Sequence, residues 1–153
     1  MSILITGGTG FIGSFLARHL LNNSSEQLVL LDYFINQKRI TDIIQNERVE
    51  IIQGDISNWS ELISLGKSID SISTIYHFAS IMPPVTENKL EVSFRVNIQG
   101  TFNILEYARY FGVSKVIYAS SGAVYGPGVD ISCNKLHKIV HHNGFIAKII
   151  SFY

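Results

Sequence analysis

The stretch ITGGTGFIGS, residues 5–14, places glycines at positions 7, 8, 10 and 13 between a short apolar run and the first helical pattern of the chain. Strand, glycine turn and amphipathic helix in that order are what a phosphate-binding turn requires. Each of three glycines has its own task. Gly7 permits the tight turn, Gly10 lets a pyrophosphate approach the backbone without a Cβ in the way, and Gly13 lets helix and strand pack closely. The amides at the helix start then face an anion, aided by the helix dipole. Phe11 and Ile12, between the last two of these glycines, join the candidate cofactor contacts. A glycine-rich turn with no ligand remains the alternative.

About 20 residues further on, Asp32 ends the apolar run of LVLLDYF, residues 28–34. A carboxylate there can accept hydrogen bonds from an adenosine ribose, and its charge would repel a 2′-phosphate, so NAD is expected in preference to NADP. Asp32 as a plain turn residue is the competing reading.

Apolar runs suited to buried strands recur at residues 3–6, 28–31, 49–52, 72–77 and 116–119, separated by helix-length spacers. In the first spacer Phe11, Ile12, Phe15, Leu16 and Leu20 fall on one stripe, away from Arg18 and Asn22. The long spacer 89–111 repeats the pattern. Alternating strands and helices predict a doubly wound parallel α/β fold, with ligands outside the carboxyl ends of the strands.

The chain has 153 residues, the size of one domain, with twelve basic and twelve acidic side chains. That balance gives no footprint for nucleic acid or an anionic membrane and favours a small-molecule partner. A single cysteine, Cys133, cannot make an internal disulfide, which fits a reducing compartment, and no apolar run is long enough to span a bilayer. The expectation is a soluble cytoplasmic protein without a signal peptide.

The spacing in TGGTGFIG, residues 6–13, resembles that of the extended short-chain dehydrogenase/reductase family, the NAD-dependent sugar-nucleotide epimerases and dehydratases, with a Rossmann-like fold. Four further stretches strengthen the resemblance. GDIS, residues 54–57, is similar to the family's adenine-binding turn, implying Asp55 on the adenine amino group and Ile56 against the ring. YHFAS, residues 76–80, resembles the segment that runs along the cofactor, so Phe78, Ala79 and Ser80 inherit that role. VNIQGTFNILE, residues 96–106, looks like the family's fourth helix, implying Asn97 near the active site and Asn103 tying strands together. YASSGAVYG, residues 118–126, implies Ser121 as the catalytic-site hydroxyl beside substrate and nicotinamide.

From the residues alone, each has a plainer alternative. Asn97 and Thr101, four apart on a helix, could bond neighbouring backbone; His77 could be a packed histidine; Ser120 and Ser121 could decorate a turn.

The resemblance implies hydride removal from a sugar carbon while a tyrosine takes the hydroxyl proton, its pKa lowered by a lysine four residues on. That pair is missing here. Tyr33, Tyr76, Tyr107, Tyr110, Tyr118 and Tyr125 are followed four places later by Gln37, Ser80, Phe111, Ser114, Gly122 and Val129, and Tyr153 is last. NGFIAKIIS, residues 143–151, looks like a worn version, with Asn143 where tyrosine would stand and Lys148 one place out of register. Tyr125 as a substitute base is disfavoured.

The expectation is therefore a cofactor-binding domain at residues 1–128 followed by a divergent tail at 129–153, truncated or degenerate after about residue 128. It would lack a C-terminal substrate domain, and its catalysis would be impaired. An inactive binder, a fragment or frame-drifted product, and a chain with another base are the competing explanations. A non-catalytic NAD-binding or interaction module, forming a homodimer or pairing with a full-length relative, is the alternative function. The histidines at 137, 141 and 142 lack a third ligand at a recognisable spacing, so no metal is expected. Apolar surface near the fourth and fifth strands is expected to stay partly exposed, with low stability or self-association.

Overall fold

The computed structural model describes residues 1–82 and 88–119. Five parallel strands, β1 (Ser2–Thr6), β2 (Gln27–Asp32), β3 (Val49–Gln53), β4 (Ile72–His77) and β5 (Lys115–Tyr118), form one sheet in the order β3-β2-β1-β4-β5. Helix α1 (Phe11–Asn23) joins β1 to β2, and α2 (Trp59–Ser68) joins β3 to β4. A continuous helical run joins β4 to β5: a short α3 (Leu90–Ser93), a π-helical stretch (Phe94–Gly100) and α4 (Thr101–Phe111). Strand order reverses at β1 and β4, which opens a crevice beyond their carboxyl ends.

The strands alternate between two cores, as a sheet covered on both faces must. Leu4, Val29, Leu31, Ile75 and Val116 face α2 and α4, meeting Leu62, Leu65, Ile104, Tyr107 and Ala108. Ile3, Ile5, Leu28 and Leu30 face the other way, against Ala17 of α1 and against Ile40 and Ile43 from the β2–β3 connection. The predicted doubly wound sheet is the observed one, and the five apolar runs match the five strands to within a residue or two at each end.

Two sequence expectations need correction. The β2–β3 spacer is helix-length but forms only a 3₁₀ turn, Gln37–Arg39. Its β-branched Ile40, Thr41, Ile43 and Ile44 have weak helix propensity. The segment is tied down instead by Arg18, whose guanidinium pairs with Asp42 at 2.6 Å and also donates to the Arg39 carbonyl. The apolar stripe on α1 is also not a single buried face. Gly13, Ser14 and Ala17 are buried, whereas Phe11, Ile12 and Phe15 are 67%, 54% and 61% exposed. Packing against the sheet needs small side chains at the start of α1, so its large ones are turned outward.

Around the fourth and fifth strands Tyr76, Ile117 and Tyr118 are only half-buried. At the far end of α1, Arg48 donates to the carbonyls of Leu21 at 2.5 Å and Ser24 at 2.7 Å, satisfying acceptors that a helix terminus leaves open.

Helix α2 opens with a reciprocal cap. Asn58 accepts from the amides of Ser60 at 3.1 Å and Glu61 at 3.4 Å, and its own side-chain amide donates to Glu61 at 2.7 Å. Glu61 also accepts from the Asp55 amide at 2.9 Å, so the cap holds the turn after β3. Asn58→Ala is expected to cost about 1 kcal/mol, lowering the midpoint of thermal unfolding by about 3 °C; an unchanged midpoint would show the cap to be dispensable.

Candidate functional site

The turn after β1 is shaped by the approach of two other backbones. Gly7 has φ +67°, a left-handed conformation, and a Cβ on it would lie 2.9 Å from the Ala79 amide nitrogen. A Cβ on Gly13 would collide with the Gly7 carbonyl oxygen. The turn is fastened to β2 through Gly7 N–H, which donates to the Leu31 carbonyl at 2.8 Å, and it delivers the chain into α1 at Gly10. Among the described residues no side chain caps α1, and its first turn holds no acidic residue. Its first amides therefore remain available to an anion.

A cavity of about 540 Å³ opens over this turn. Gly7, Gly10, Phe11, Ile12 and Gly13 form its floor, Asp32 follows from β2, Asp55 and Ile56 from the turn after β3, and Phe78, Ala79 and Ser80 from the end of β4. Every proposed cofactor residue except Asn97 thus meets at one cavity. Residues from these four chain segments converge there because four parallel strands end on the same side.

Asn97 is placed behind the wall. Its side chain accepts from the Ile81 amide at 2.8 Å and donates to the Ile81 carbonyl at 3.0 Å, so it holds a cavity residue in place. Asn103 ties α4 to the turn after β3, donating to the Ile56 carbonyl at 3.0 Å, where a tie between strands was expected. Ser121, the proposed catalytic hydroxyl, lies outside the described residues, as do Ser120, Tyr125, Cys133, Asn143, Lys148 and the histidines at 137, 141 and 142. Among the described residues no three metal-ligating side chains cluster, and no helix is long and apolar enough to cross a membrane.

Thr9 is the functional residue that sequence reasoning passed over. It is fully buried, and its amide and hydroxyl both meet Asp32 Oδ2, at 3.1 Å and 2.8 Å. The hydroxyl also accepts from the Asn36 amide at 3.1 Å. Thr9 therefore fixes one oxygen of the carboxylate, and among the described residues Oδ1 has only a long 3.4 Å contact with the Phe34 amide. That oxygen can accept from a ligand hydroxyl. The signal was present: a threonine inside the glycine turn has a side chain that can reach the next strand. Asp55 is held in the same manner, its Oδ1 accepting from the Ser57 amide at 2.8 Å and hydroxyl at 2.7 Å.

The cavity also takes in Tyr33, Arg39, Met82, Val92, Arg95 and Val96, none of which stood out in the sequence. The Arg39 guanidinium lies 5.9 Å from the Phe11 ring centroid, and Phe11 in turn packs 5.2 Å from Phe15. Exposed Phe11 is therefore one side of a cationic and aromatic rim.

Behind the β4 end, His77 is 1% exposed. Its Nδ1 lies 2.6 Å from the Thr6 hydroxyl and its Nε2 3.0 Å from the Thr101 hydroxyl. The packed histidine of the plainer reading is what is found, and Thr101 bonds the Asn97 carbonyl at 2.7 Å, as the helix spacing allowed. Burial pushes the imidazole pKa down to about 4.

The NAD dependent epimerase/dehydratase family model matches residues 3–146. The sterol-4-alpha-carboxylate 3-dehydrogenase, decarboxylating, of Mus musculus is 36% identical over 127 residues, covering 83% of this chain and 32% of the relative. The dTDP-glucose 4,6-dehydratase of Streptomyces venezuelae, a double mutant solved with NAD bound, superposes with a TM-score of 0.75 at 29% identity, covering 82% of this chain and 41% of that one. The ADP-L-glycero-D-manno-heptose-6-epimerase of Helicobacter pylori gives 0.73 at 34% identity, covering 87% and 43%. The chain thus spans about two fifths or less of the first two of these relatives.

The pH dependence of stability follows from His77. Its folded pKa lies below the unfolded value near 6.5, so the contribution is complete above about pH 6.5 and is lost as pH falls toward 4. The loss should amount to about 3 kcal/mol. Thermal unfolding followed from pH 7 to pH 4.5 is expected to show a falling midpoint, and a His77→Gln chain a flatter profile; equal slopes would assign the dependence to other groups.

Proposed function

This chain belongs to the NAD dependent epimerase/dehydratase family, and from that premise we propose that it is the cofactor-binding domain of an NAD-dependent oxidoreductase acting on a nucleotide sugar by transient hydride transfer. The observation that carries the reading is the cavity in which the glycine turn, Asp32, Asp55, Ile56 and Ala79 meet. Its chemistry fits a dinucleotide. A floor that excludes Cβ atoms and ends in uncapped helix amides suits a diphosphate, and an Asp32 oxygen left open by Thr9 suits ribose hydroxyls. Asp55 and the buried Ile56 suit an adenine edge and face. The nicotinamide, when bound, supplies the two-electron hydride acceptor.

Proton transfer is where this chain is poor. Removing hydride from an alcohol needs a base for its proton, and no tyrosine in the sequence has a lysine four places on. Tyr107, buried in the core, has its pKa pushed up to about 12 by burial, the wrong direction for a base near neutral pH. We therefore read the chain as cofactor-binding with impaired catalysis, Ser121 being the remaining catalytic-site hydroxyl. NAD in preference to NADP follows from the Asp32 charge. Arg39 on the same cavity is a cation that a 2′-phosphate could use, so the preference requires the Asp32 charge to outweigh it.

A second reading, a non-catalytic binding or interaction module, is favoured by the exposed aromatic side chains of the helical run, Phe94, Phe102 and Tyr110 being 60%, 57% and 62% exposed. Turnover of a nucleotide sugar by the purified chain would remove both this reading and the impairment.

The test of the cofactor reading is thermal unfolding of the chain with NAD and NADP. NAD at 100 times its dissociation constant is expected to add about 2.7 kcal/mol. The NAD shift should exceed the NADP shift, and Asp32→Ala should shrink the first while narrowing the gap. A midpoint indifferent to NAD would reject the cofactor site.

A further inference from the structure

Residues 78–82 form the β4 side of the cavity, and a single line of hydrogen bonds starts and finishes on them. The Ala79 amide donates to the Thr6 hydroxyl at 3.3 Å, and that hydroxyl meets His77 Nδ1 at 2.6 Å. His77 Nε2 meets the Thr101 hydroxyl at 3.0 Å, and Thr101 donates to the Asn97 carbonyl at 2.7 Å. Asn97 then closes on Ile81 with its two side-chain bonds. We propose that this line, centred on His77, positions the wall at Ala79 and Ile81 for the dinucleotide, making His77 and Thr101 positioning residues of the cofactor site. The inference deepens the cofactor reading above and rests on it.

Proton counting gives the line one direction. The Thr101 hydroxyl spends its only proton on the Asn97 carbonyl, so it must accept from Nε2–H. A neutral imidazole protonated at Nε2 has a bare Nδ1, which takes the Thr6 proton. Thr6 can then accept from Ala79 N–H, and each hydroxyl is used once as donor and once as acceptor. The preference for a neutral ring in this buried place agrees with that pattern.

A ring that only filled space would not need this. His77 is opposite Thr6 in the β1–β4 register, and the Tyr118 ring covers it at a centroid distance of 5.4 Å. A packing role would be met by any ring of similar size, yet both nitrogens are committed, one to the sheet and one to the helix. Thr6 is likewise fully buried, so a broken link is not readily repaired by water. The line joins β1, the segment after β4 and the π-helical stretch through side chains. Ala79 lies against the Gly7 turn, so the same line sets the gap between the wall and the cavity floor.

Thr101→Val removes the hydroxyl and keeps the shape, whereas Thr101→Ser keeps the hydroxyl. In the full 153-residue chain, T101V is expected to weaken NAD binding about tenfold, with T101S within about twofold of the parent. Nitrogen NMR of the parent should find His77 protonated at Nε2, and T101V should shift the amide resonances of Ala79 and Ile81 where T101S does not. Equal NAD affinity in T101V and T101S overturns the proposal, as does an Nδ1-protonated ring in the parent. Should T101V fail to fold, Thr6→Val against Thr6→Ser reads the other end of the line by the same criteria. If the parent binds no NAD, the cofactor reading fails by itself. The ligand-free amide shifts then decide this inference: displacement in T101V alone upholds a line that sets the wall, and none rejects it.

Discussion

The fold and the site both depend on how closely three pieces of backbone can approach at the end of β1. Gly7 turns in the left-handed region against the Phe78–Ala79 peptide, and Gly13 begins α1 against the Gly7 carbonyl. A side chain at either place would force the helix off the sheet or the β4 end off the turn. Because both approaches are made without side chains, α1 enters its packing with Ser14 and Ala17 inward, and its aromatic residues are displaced to the rim. The cavity is the space left on the other side of that same contact.

Polar side chains then convert a crowded turn into a fixed one. Thr9 binds the glycine turn to Asp32, Asn103 binds α4 to Ile56, and Asn97 binds the π-helical stretch to Ile81. Each bonds one segment of the chain to another distant in sequence, and each ends on a residue that lines the cavity. Groups that have already spent part of their hydrogen-bonding capacity on the protein meet a ligand with little left to reorganise. Asp32 illustrates the arrangement, with one oxygen held by Thr9 and the other open.

Much of this was legible in the sequence, and the parts that were not share a cause. The strands were readable because parallel strands buried on both faces are continuous apolar runs, and Asp32, Asp55 and Ala79 because they follow strand ends. The stripe on α1 misled because periodicity reports which residues share a face, and Phe11 and Phe15 share theirs with the cavity rim. The β2–β3 spacer misled because length alone says nothing of its conformation; Arg18, more than 20 residues from Asp42, decides it. Thr9, Asn97 and His77 were visible as residue types, but their partners lie 16 to 71 positions away in the chain. Such pairings exist only once the sheet has been assembled.

Arg48 gives α1 a property that its own residues do not. The helix has 13 residues, none acidic in its first turn and none basic in its last. By itself it would carry matched partial charges about 20 Å apart. Arg48 reaches back from the head of β3 and covers two carbonyls at the C-terminal pole, while the N-terminal pole stays bare. The negative pole then carries a compensating cation, and the positive pole carries no charged side chain of its own first turn. The carbonyl end of α1 is in this way satisfied by a residue that touches neither the glycine turn nor anything that would bind there.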